Sequence, residues 1–366
     1  ITNAVSNFQA NPELKPELVE EFEIGVDAGL FEDAIAINAS VYKRETNDMI
    51  VSKGLPTSTG FTSTQDNIGE VESDGVEIDV DMNMFKILPL SVDGLTWNSR
   101  INFTKSESIV TKQEDEQILF GGGVDIGNVA IEGFPLGTIV GGRIERNDDG
   151  EYIVNAAGDY NSEFTIAIDD NGNEVPLGTE GSRQVNAILG NPEPDFVMNY
   201  INSINYKNFT LGFHFQHVSG GDMYSSTIGV LLGRGNVRSD RRETFVLEGV
   251  NADGSPNTIM INNSQYYFTN ILNGPAELSV FDASVIRLQE VSFAYTFPQE
   301  FLDKTPFGEL SLTFAGYNLW HDAYNTPEEV NFDPNVAGAG IGNARGIDYM
   351  NGPSTKRYGV SLKASF

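Results

Sequence analysis

The sequence has no cysteine and only three histidines among its 366 residues. The first absence removes thiol catalysis, disulfide frameworks and cysteine-type zinc sites together, and the second leaves little room for imidazole chemistry. Basic residues are scarce: 22 Lys and Arg stand against 52 Asp and Glu, a formal charge of −30. That charge repels phosphate backbones, and no Lys/Arg cluster reads as a basic stripe, so nucleic-acid binding is not expected. No apolar run approaches the ~18–20 residues of a membrane-spanning helix. Residues Ile1 to Phe8 have neither an initiator Met nor the basic and apolar regions of a signal peptide, so the chain is expected to start inside a longer protein.

What is present is bulk. The chain is 40% hydrophobic and 10% aromatic, with 23 Phe and 13 Tyr, too much for a disordered acidic segment. Its mean hydropathy of −0.23 is blind to strands that alternate two kinds of face, because the alternation cancels in any window. The period must be read directly. Ile35, Ile37, Ala39 and Val41 oppose Asn38, Ser40, Tyr42 and Arg44, and just before them Phe22, Ile24, Val26 and Ala28 oppose Glu21, Glu23, Gly25 and Asp27. This is period 2, a strand pair. A second pair joins Val76, Ile78, Val80, Met82 and Met84 to Leu95, Trp97, Ile101 and Phe103 through a connection near Pro89. A third runs over 196–206 and 209–215, joined by a tight Tyr-Lys-Asn turn, and a fourth over about 278–297 and 308–319. The phase slips near Ile286 to Glu290, which predicts a β-bulge. A last strand alternates Tyr358, Val360, Leu362, Ala364 and Phe366 with Arg357, Gly359, Ser361, Lys363 and Ser365.

Connections within pairs are short, whereas those between pairs, about 50–68, 107–193, 219–276 and 321–352, are long and rich in Gly, Asn, Asp, Ser and Pro. Short turns on one side and long loops on the other predict an all-β antiparallel transmembrane barrel segment with periplasmic turns and extracellular loops. A secreted or surface-attached soluble β-sandwich, such as a glycan-binding module or adhesin, is the competing reading of the same alternation. Nine strands is an odd number, and single-chain bacterial barrels have an even one. Residues 1–366 are therefore expected to be the C-terminal part of a larger barrel, with raw edges at both ends.

Several segments resemble the SusC-type TonB-dependent transporters of the Bacteroidetes outer membrane, in that family's order. They are Asn11-Pro-Glu-Leu-Lys-Pro-Glu17 leading into Glu23-Ile-Gly-Val-Asp27; Asn67-Ile-Gly-Glu-Val-Glu-Ser-Asp-Gly-Val-Glu77; Gly190-Asn-Pro-Glu-Pro-Asp-Phe196; Asn205-Tyr-Lys-Asn-Phe209; Gly220-Gly-Asp222; Ile286 to Pro298; and Gly316-Tyr-Asn-Leu319. The resemblance implies a 22-stranded barrel of which these are about the last nine strands. It also implies a plug domain and TonB box absent from this chain, a SusD-like surface lipoprotein as partner, coupling to the TonB complex through the plug, and import of oligosaccharides or, alternatively, peptides. No cofactor is implied. One departure is Asp333-Pro-Asn335, where the family has Asp-Pro-Glu, so no role carries over.

Candidate functional residues follow from the faces. Glu77, Asp79, Arg100, His214, Arg357 and Lys363 fall on the predicted lumen side. Asp169, Asn171, Asn173 and Glu180 match calcium-loop positions 1, 3, 5 and 12, but Glu174 stands where the loop turns on Gly, so a solvated β-turn is the plainer reading. His214 and His217, three apart on a strand, point to opposite faces and do not chelate one ion. His321 lies at a strand-to-loop junction. No Gly-x-Ser-x-Gly supports a Ser/His/Asp set, Gly338 to Gly342 lacks dinucleotide-fingerprint spacing, and paired carboxylates are uninformative in so acidic a chain, so no enzyme is expected. Trp97, Tyr206, Tyr295 and Tyr358 near strand ends suit a lipid–water girdle. Phe61, Phe134, Tyr160, Tyr266 and Tyr267 are loop aromatics that either stack on sugar rings or pack the loops. The C-terminal Phe366 resembles the mark read by the barrel-assembly machinery.

Overall fold

Period-2 alternation becomes nine antiparallel strands of one sheet. A computed structural model of the chain describes residues 7–88, 92–113, 117–122, 125–236, 244–327, 330–335 and 345–366, without the side chains of Thr57, Ile68 and Gly121. The connection at Pro89 and the segment Gly338–Gly342 lie outside the described residues. The strands are β1 (Leu18–Leu30), β2 (Ile35–Gly54), β3 (Ser63–Asn83), β4 (Leu95–Gln113), β5 (Phe196–Tyr206), β6 (Phe209–Ser219), β7 (Val285–Thr296), β8 (Glu309–Asp322) and β9 (Arg357–Ser365). Each pairs with the next in chain order. Among the described residues β1 and β9 do not pair with each other, so the sheet is an open wall and not a closed barrel.

The register sorts the side chains into two faces. Phe22, Ile24 and Val26 on β1 stand opposite Lys43, Val41 and Ala39 on β2, and the apolar set continues through Val76, Ile78 and Val80 to Phe103 and Ile101. This face is bare: Ile24 is 59% exposed and Val360, at the far end of the wall, 67%. Ser99 and Asn202 interrupt the apolar set, but they bond to each other and Trp97 Nε1 donates to Asn202 Oδ1 at 2.9 Å. An exposed apolar band this wide is unsustainable in water and expected in lipid.

The upper limit of the band crosses the ladders obliquely. Its first ionisable residue is Glu20 on β1, Lys43 on β2, Asp74 on β3, Lys105 on β4 and His217 on β6. Between β1 and β6 this limit drops three ladder positions, or six residues, over five strand spacings. At about 3.3 Å per residue and 4.8 Å per strand the slope is about 40°, the tilt of strands in a membrane barrel.

Above the limit the faces exchange character. Asn47 and Asp48 together oppose Glu70 between the pairs Thr46↔Val71 and Met49↔Gly69, so one extra residue on β2 moves odd-numbered side chains to the opposite face. Met49 and Val51 then point inward with Val71 and Val110 and form a core with Ile118 and Ala130. Each fully buried aliphatic chain there contributes about 1.5–3 kcal/mol. The predicted bulge near residues 286–290 is present: Gln289 is the unpaired residue between Leu288 and Glu290.

Two expectations are corrected. The predicted long connection 50–68 is mostly strand, since Ile50–Gly54 pairs with Asn67–Ser63 and leaves a loop of 55–62 only. The strand read over 278–297 is two elements, Val280–Asp282 pairing with Asp222–Tyr224, and β7 itself. The other three long connections contribute strands to small separate sheets, including a four-stranded one from Ile118–Gly122, Ile126–Ala130, Thr138–Gly141 and Ile188–Gly190. Their cores centre on Val129, Ile131, Val140 and Ile168, and on Met223, Ile228, Val330 and Phe332.

Candidate functional site

All six residues read as lumen candidates share the face opposite the apolar band. Asp81 stands across from Arg100, Arg100 from Ile201, and Ile201 from His214; Glu290 and Tyr317 continue the chain of partners to Arg357. Glu77 and Asp79 alternate with Asp81, as Lys363 does with Arg357. Arg100 makes a two-pronged contact with Asp81, at 2.6 and 3.0 Å, and Asn102 donates to Asp79. His214 Nε2 contacts Asn199 Oδ1 at 2.9 Å, Arg357 lies over the Tyr317 ring and Lys363 is 3.9 Å from Glu309. Glu77 sits between Ser40 and Thr104.

One line of this face is continuous in chemistry. Asp27, Asn38, Asp79, Asn102, Asn199 and Gln216 are successive cross-strand partners on six strands. Asn38 donates to Asp27 at 2.6 Å, and Gln289 donates to Gln216 at 2.8 Å. A belt of amides and carboxylates offers many hydrogen-bonding positions to a solvated solute. Below it a cavity of about 450 Å³ is lined by Asp33, Asp81, Asn83, Asn98, Arg100 and Ser203 among others. His217 lies on the opposite face, edge-on to Phe196 and bonded to the Tyr324 hydroxyl at 2.9 Å, so the two histidines are separated by the sheet.

The short sequence motifs turn out to bind one another. Asn11 donates to the Gln65 carbonyl and to Asp66; Asn67 accepts from the Lys15 amide and donates to the Lys15 and Asp48 carbonyls, the latter at the β2 bulge. Glu17 accepts the Ile50 amide at 2.7 Å. In the same way Asp222 accepts from the Asn191 amide and donates its own amide to the Asn191 carbonyl, while Gly220 packs against Asp195. Glu193 reaches back to Ser108 of β4 through amide and hydroxyl, at 3.0 and 2.6 Å. Burial pushes the Asp222 carboxyl up from its ordinary value, against the Asn191 amide.

Asp169 occupies a repeated turn. Its Oδ1 accepts the amides of Asn171 and Asn173 at 2.9 and 2.8 Å, and Gly172 closes the turn at positive φ. Asn147 holds Asp149 and Glu151, and Asn155 holds Ala157 and Asp159, in the same arrangement, with Gly150 and Gly158 in the glycine slot. The slot accepts Asn as readily as Asp, so its chemistry is an amide-accepting oxygen and not a charge. The Asn173 amide leads the hydrogen bonds that hold the Asp169 carboxyl below its ordinary value. Asn171 supplies a backbone amide, Asn173 an amide and its side chain, and Glu180 sits in the following turn.

The loop aromatics divide. Phe134 packs on the Val129 cluster and Tyr267 is buried, so both are packing residues. Tyr160 meets Tyr152 edge-on and Tyr266 meets Phe245; burial pushes the Tyr160 hydroxyl up to about 12. Phe61 lies half-buried in the 55–62 loop. At the lower end Trp97, Tyr206 and Tyr295 stand near strand ends with Phe209 tilted against Tyr295, Tyr358 stands at the upper end, and the Phe366 ring lies 5.2 Å from that of Phe307. His321 contacts the Asn331 carbonyl.

Two features escaped the sequence reading. Arg287 and Asp333 form a buried ion pair, so the altered Asp333-Pro-Asn335 segment is structural. A basic cluster also exists: Arg234, Arg238, Arg241 and Arg242 place four arginines within nine residues, and the overall −30 masked it.

Residues 2–139 match the family described as TonB dependent receptor-like, beta-barrel. TonB-dependent receptor P3 of Formosa agariphila is 26% identical over 380 residues, covering 98% of this chain and 35% of that protein. TonB-dependent receptor SusC of Bacteroides thetaiotaomicron is 24% identical over 214 residues, 56% of this chain and 19% of that protein. Among solved structures, the RagAB peptide transporter superposes with a TM-score of 0.63 at 16% identity over 97% of this chain and 36% of that one, and the RagAB peptide importer in its closed-closed state with 0.64 at 17%. The chain thus spans about a third of the length of the curated relatives it matches across its whole length. At such identities the structural likeness establishes the fold alone.

Proposed function

We propose that the chain is barrel wall of a TonB-dependent receptor of the SusC type in the outer membrane and forms the C-terminal part of a nutrient importer. Residues 1–366 are read as barrel, with plug and TonB box in the part of the full-length protein outside this chain. The observation that carries the reading is the pairing of an exposed apolar face, bounded at about 40° to the ladders, with a polar face running unbroken from Asp27 to Gln216. Such a wall separates lipid from a wet interior. Glu77, Asp79, Arg100, His214, Arg357 and Lys363 then line that interior, and the work done is binding and gated passage, driven through TonB acting on the plug.

Oligosaccharide is the cargo proposed first, delivered with a SusD-like lipoprotein over the long loops. The alternating amides and carboxylates of the belt match the many hydroxyls of a sugar chain. Peptide is the second reading, favoured by the likeness of fold to the RagAB peptide transporter. The test is uptake by cells producing the full-length protein, with and without TonB. Energy-dependent accumulation of a labelled oligosaccharide, uncut by the purified protein, is expected; uptake of labelled peptides alone replaces the first reading with the second, and turnover of the glycan by purified protein overturns both.

A further inference from the structure

We propose that Arg234, Tyr267 and Phe268 form a recognition platform for an acidic sugar unit, one bearing a carboxylate or a sulfate ester; this rests on the oligosaccharide-import reading. Arg234 follows α1 (Ser226–Gly233) and is exposed. Its guanidinium lies 4.2 Å from the centre of the Tyr267 ring. Other described arginines near the loops are committed: Arg143 to Glu163 and Glu174, Arg146 to Glu277, Arg287 of β7 to Asp333, and Arg183 to the Glu132 carbonyl. Arg234 faces no carboxylate among the described residues, in a chain where acids outnumber bases by 52 to 22.

The platform is preset. Tyr267 is 7% exposed, and its ring lies so close to Gly233 that a Cβ there would sit 3.1 Å from Cδ2. Stacking on that fixed ring holds the planar guanidinium in place while leaving its outer N–H groups free for a two-pronged contact with a planar carboxylate or a sulfate. Phe268 meets Tyr267 edge-on at 5.0 Å and is 52% exposed. Its open ring is the surface on which the C–H face of a pyranose stacks. Cation and exposed ring thus both contact one buried tyrosine. The charge is local by sequence as well, since Arg238, Arg241 and Arg242 follow within eight residues. Asp240 and Glu243 lie in the same stretch, so residues 234–243 carry a local excess of positive charge in a molecule of charge −30.

The experiment is calorimetric titration of the purified full-length protein with four probes: a galacturonate tetramer, a sulfated galactan tetramer, a neutral galactan tetramer and tetraglutamate. Wild type is expected to bind at least one acidic saccharide about tenfold tighter than the neutral one, as one charge-assisted contact supplies, with the preference shrinking as salt rises. Which acidic tetramer wins identifies carboxylate or sulfate as the group read. Arg234→Gln should abolish the preference, Arg234→Lys should restore part of it, and Phe268→Ala should weaken all three saccharides. If Arg234→Gln does not assemble, Phe268→Ala and the salt series on wild type decide. Equal binding of acidic and neutral saccharides overturns the platform and leaves the import reading standing; binding of tetraglutamate alone overturns both.

Discussion

Arg287 of β7 and Asp333 of the last long connection meet as an ion pair with both side chains 2% exposed or less. Arg287 Nη1 donates to Asp333 Oδ2 at 3.2 Å and Nη2 to Oδ1; the Asn335 amide and the Ser354 amide and hydroxyl complete the carboxylate's shell. The pair ties a loop of more than thirty residues to the top of the wall. Burial pushes the Asp333 carboxyl up, but the hydrogen bonds from Arg287, Ser354 and Asn335 outweigh it and hold it at about 2.

Breaking that pair strands a buried charge. Asp333→Asn leaves Arg287 without its partner and should cost the loop about 3–5 kcal/mol, read as faster hydrogen exchange across residues 323–356. The sign of the pH effect follows from a depressed carboxyl. Its stabilisation is complete above the ordinary Asp value near 3.8 and is lost as pH falls through about 2. Loop protection should therefore hold at pH 4 and disappear toward pH 2; protection that instead declines between pH 6 and 4 would assign the tether to other groups.

The wall was legible where one face meets lipid, because contrast is greatest there: Ile35, Ile37 and Val41 against Asn38 and Ser40 cannot be read at another period. Above the lipid limit Lys43, Arg44, Glu45 and Thr46 are polar on both faces, so β2 loses its pattern while keeping its hydrogen bonds. That is why 50–68 read as loop. The slip at Gln289 was visible because apolar residues flank it; the bulge at Asp48 was not, lying inside the polar stretch. Lumen candidates were placed by parity alone, whereas Arg287 and Asp333 are 46 residues apart and only the fold joins them. The Arg234 cluster was local and readable, and was missed through reliance on net charge.

The β2 bulge sets which way Met49 and Val51 point. Deleting Asp48 restores strict alternation and turns both toward solvent, emptying a core they share with Val71, Val110 and Ile118. Large-to-small losses of this kind cost about 2–5 kcal/mol per buried aliphatic chain. The expected outcome is a protein that still reaches the outer membrane but whose 114–195 loop is cut rapidly by external protease; undiminished protease resistance would show that the bulge carries no phase information.

Asp169 is replaceable by what already fills its slot elsewhere. Asp169→Asn should leave loop stability unchanged, because Asn147 and Asn155 make the same amide contacts. Gly172→Ala should cost about 1 kcal/mol for its positive φ, and its Cβ would also press on Phe134 at 3.2 Å. Millimolar calcium should leave the proteolysis rate of residues 165–186 unaltered. A calcium-dependent slowing that Asp169→Asn removes would reinstate the metal reading.

The oblique limit of the apolar band makes a position-by-position prediction about lipid. On β3 the limit falls between Asp74 and Val76, while on β4 it falls between Lys105 and Phe103, although Val76 and Lys105 are direct partners. A charge is therefore tolerated at Lys105 and should cost more at the residue facing it. Ile78→Lys, one position deeper, should cost about 2–4 kcal/mol near the membrane centre, falling toward ~0–1 at the interface, whereas Asp74→Lys should be nearly neutral. Refolding of the full-length protein into bilayers, followed by chemical unfolding, measures both. Val76→Lys falls between them, because its chain can extend toward the Glu72 and Asp74 carboxylates above. If the costs of these three substitutions ranked by ladder position alone, with the equivalent positions Val41 and Val76 both matching Lys105 in tolerance, the band would run parallel to the ladders. The strands would then stand upright in the membrane, a geometry that no closed barrel wall adopts.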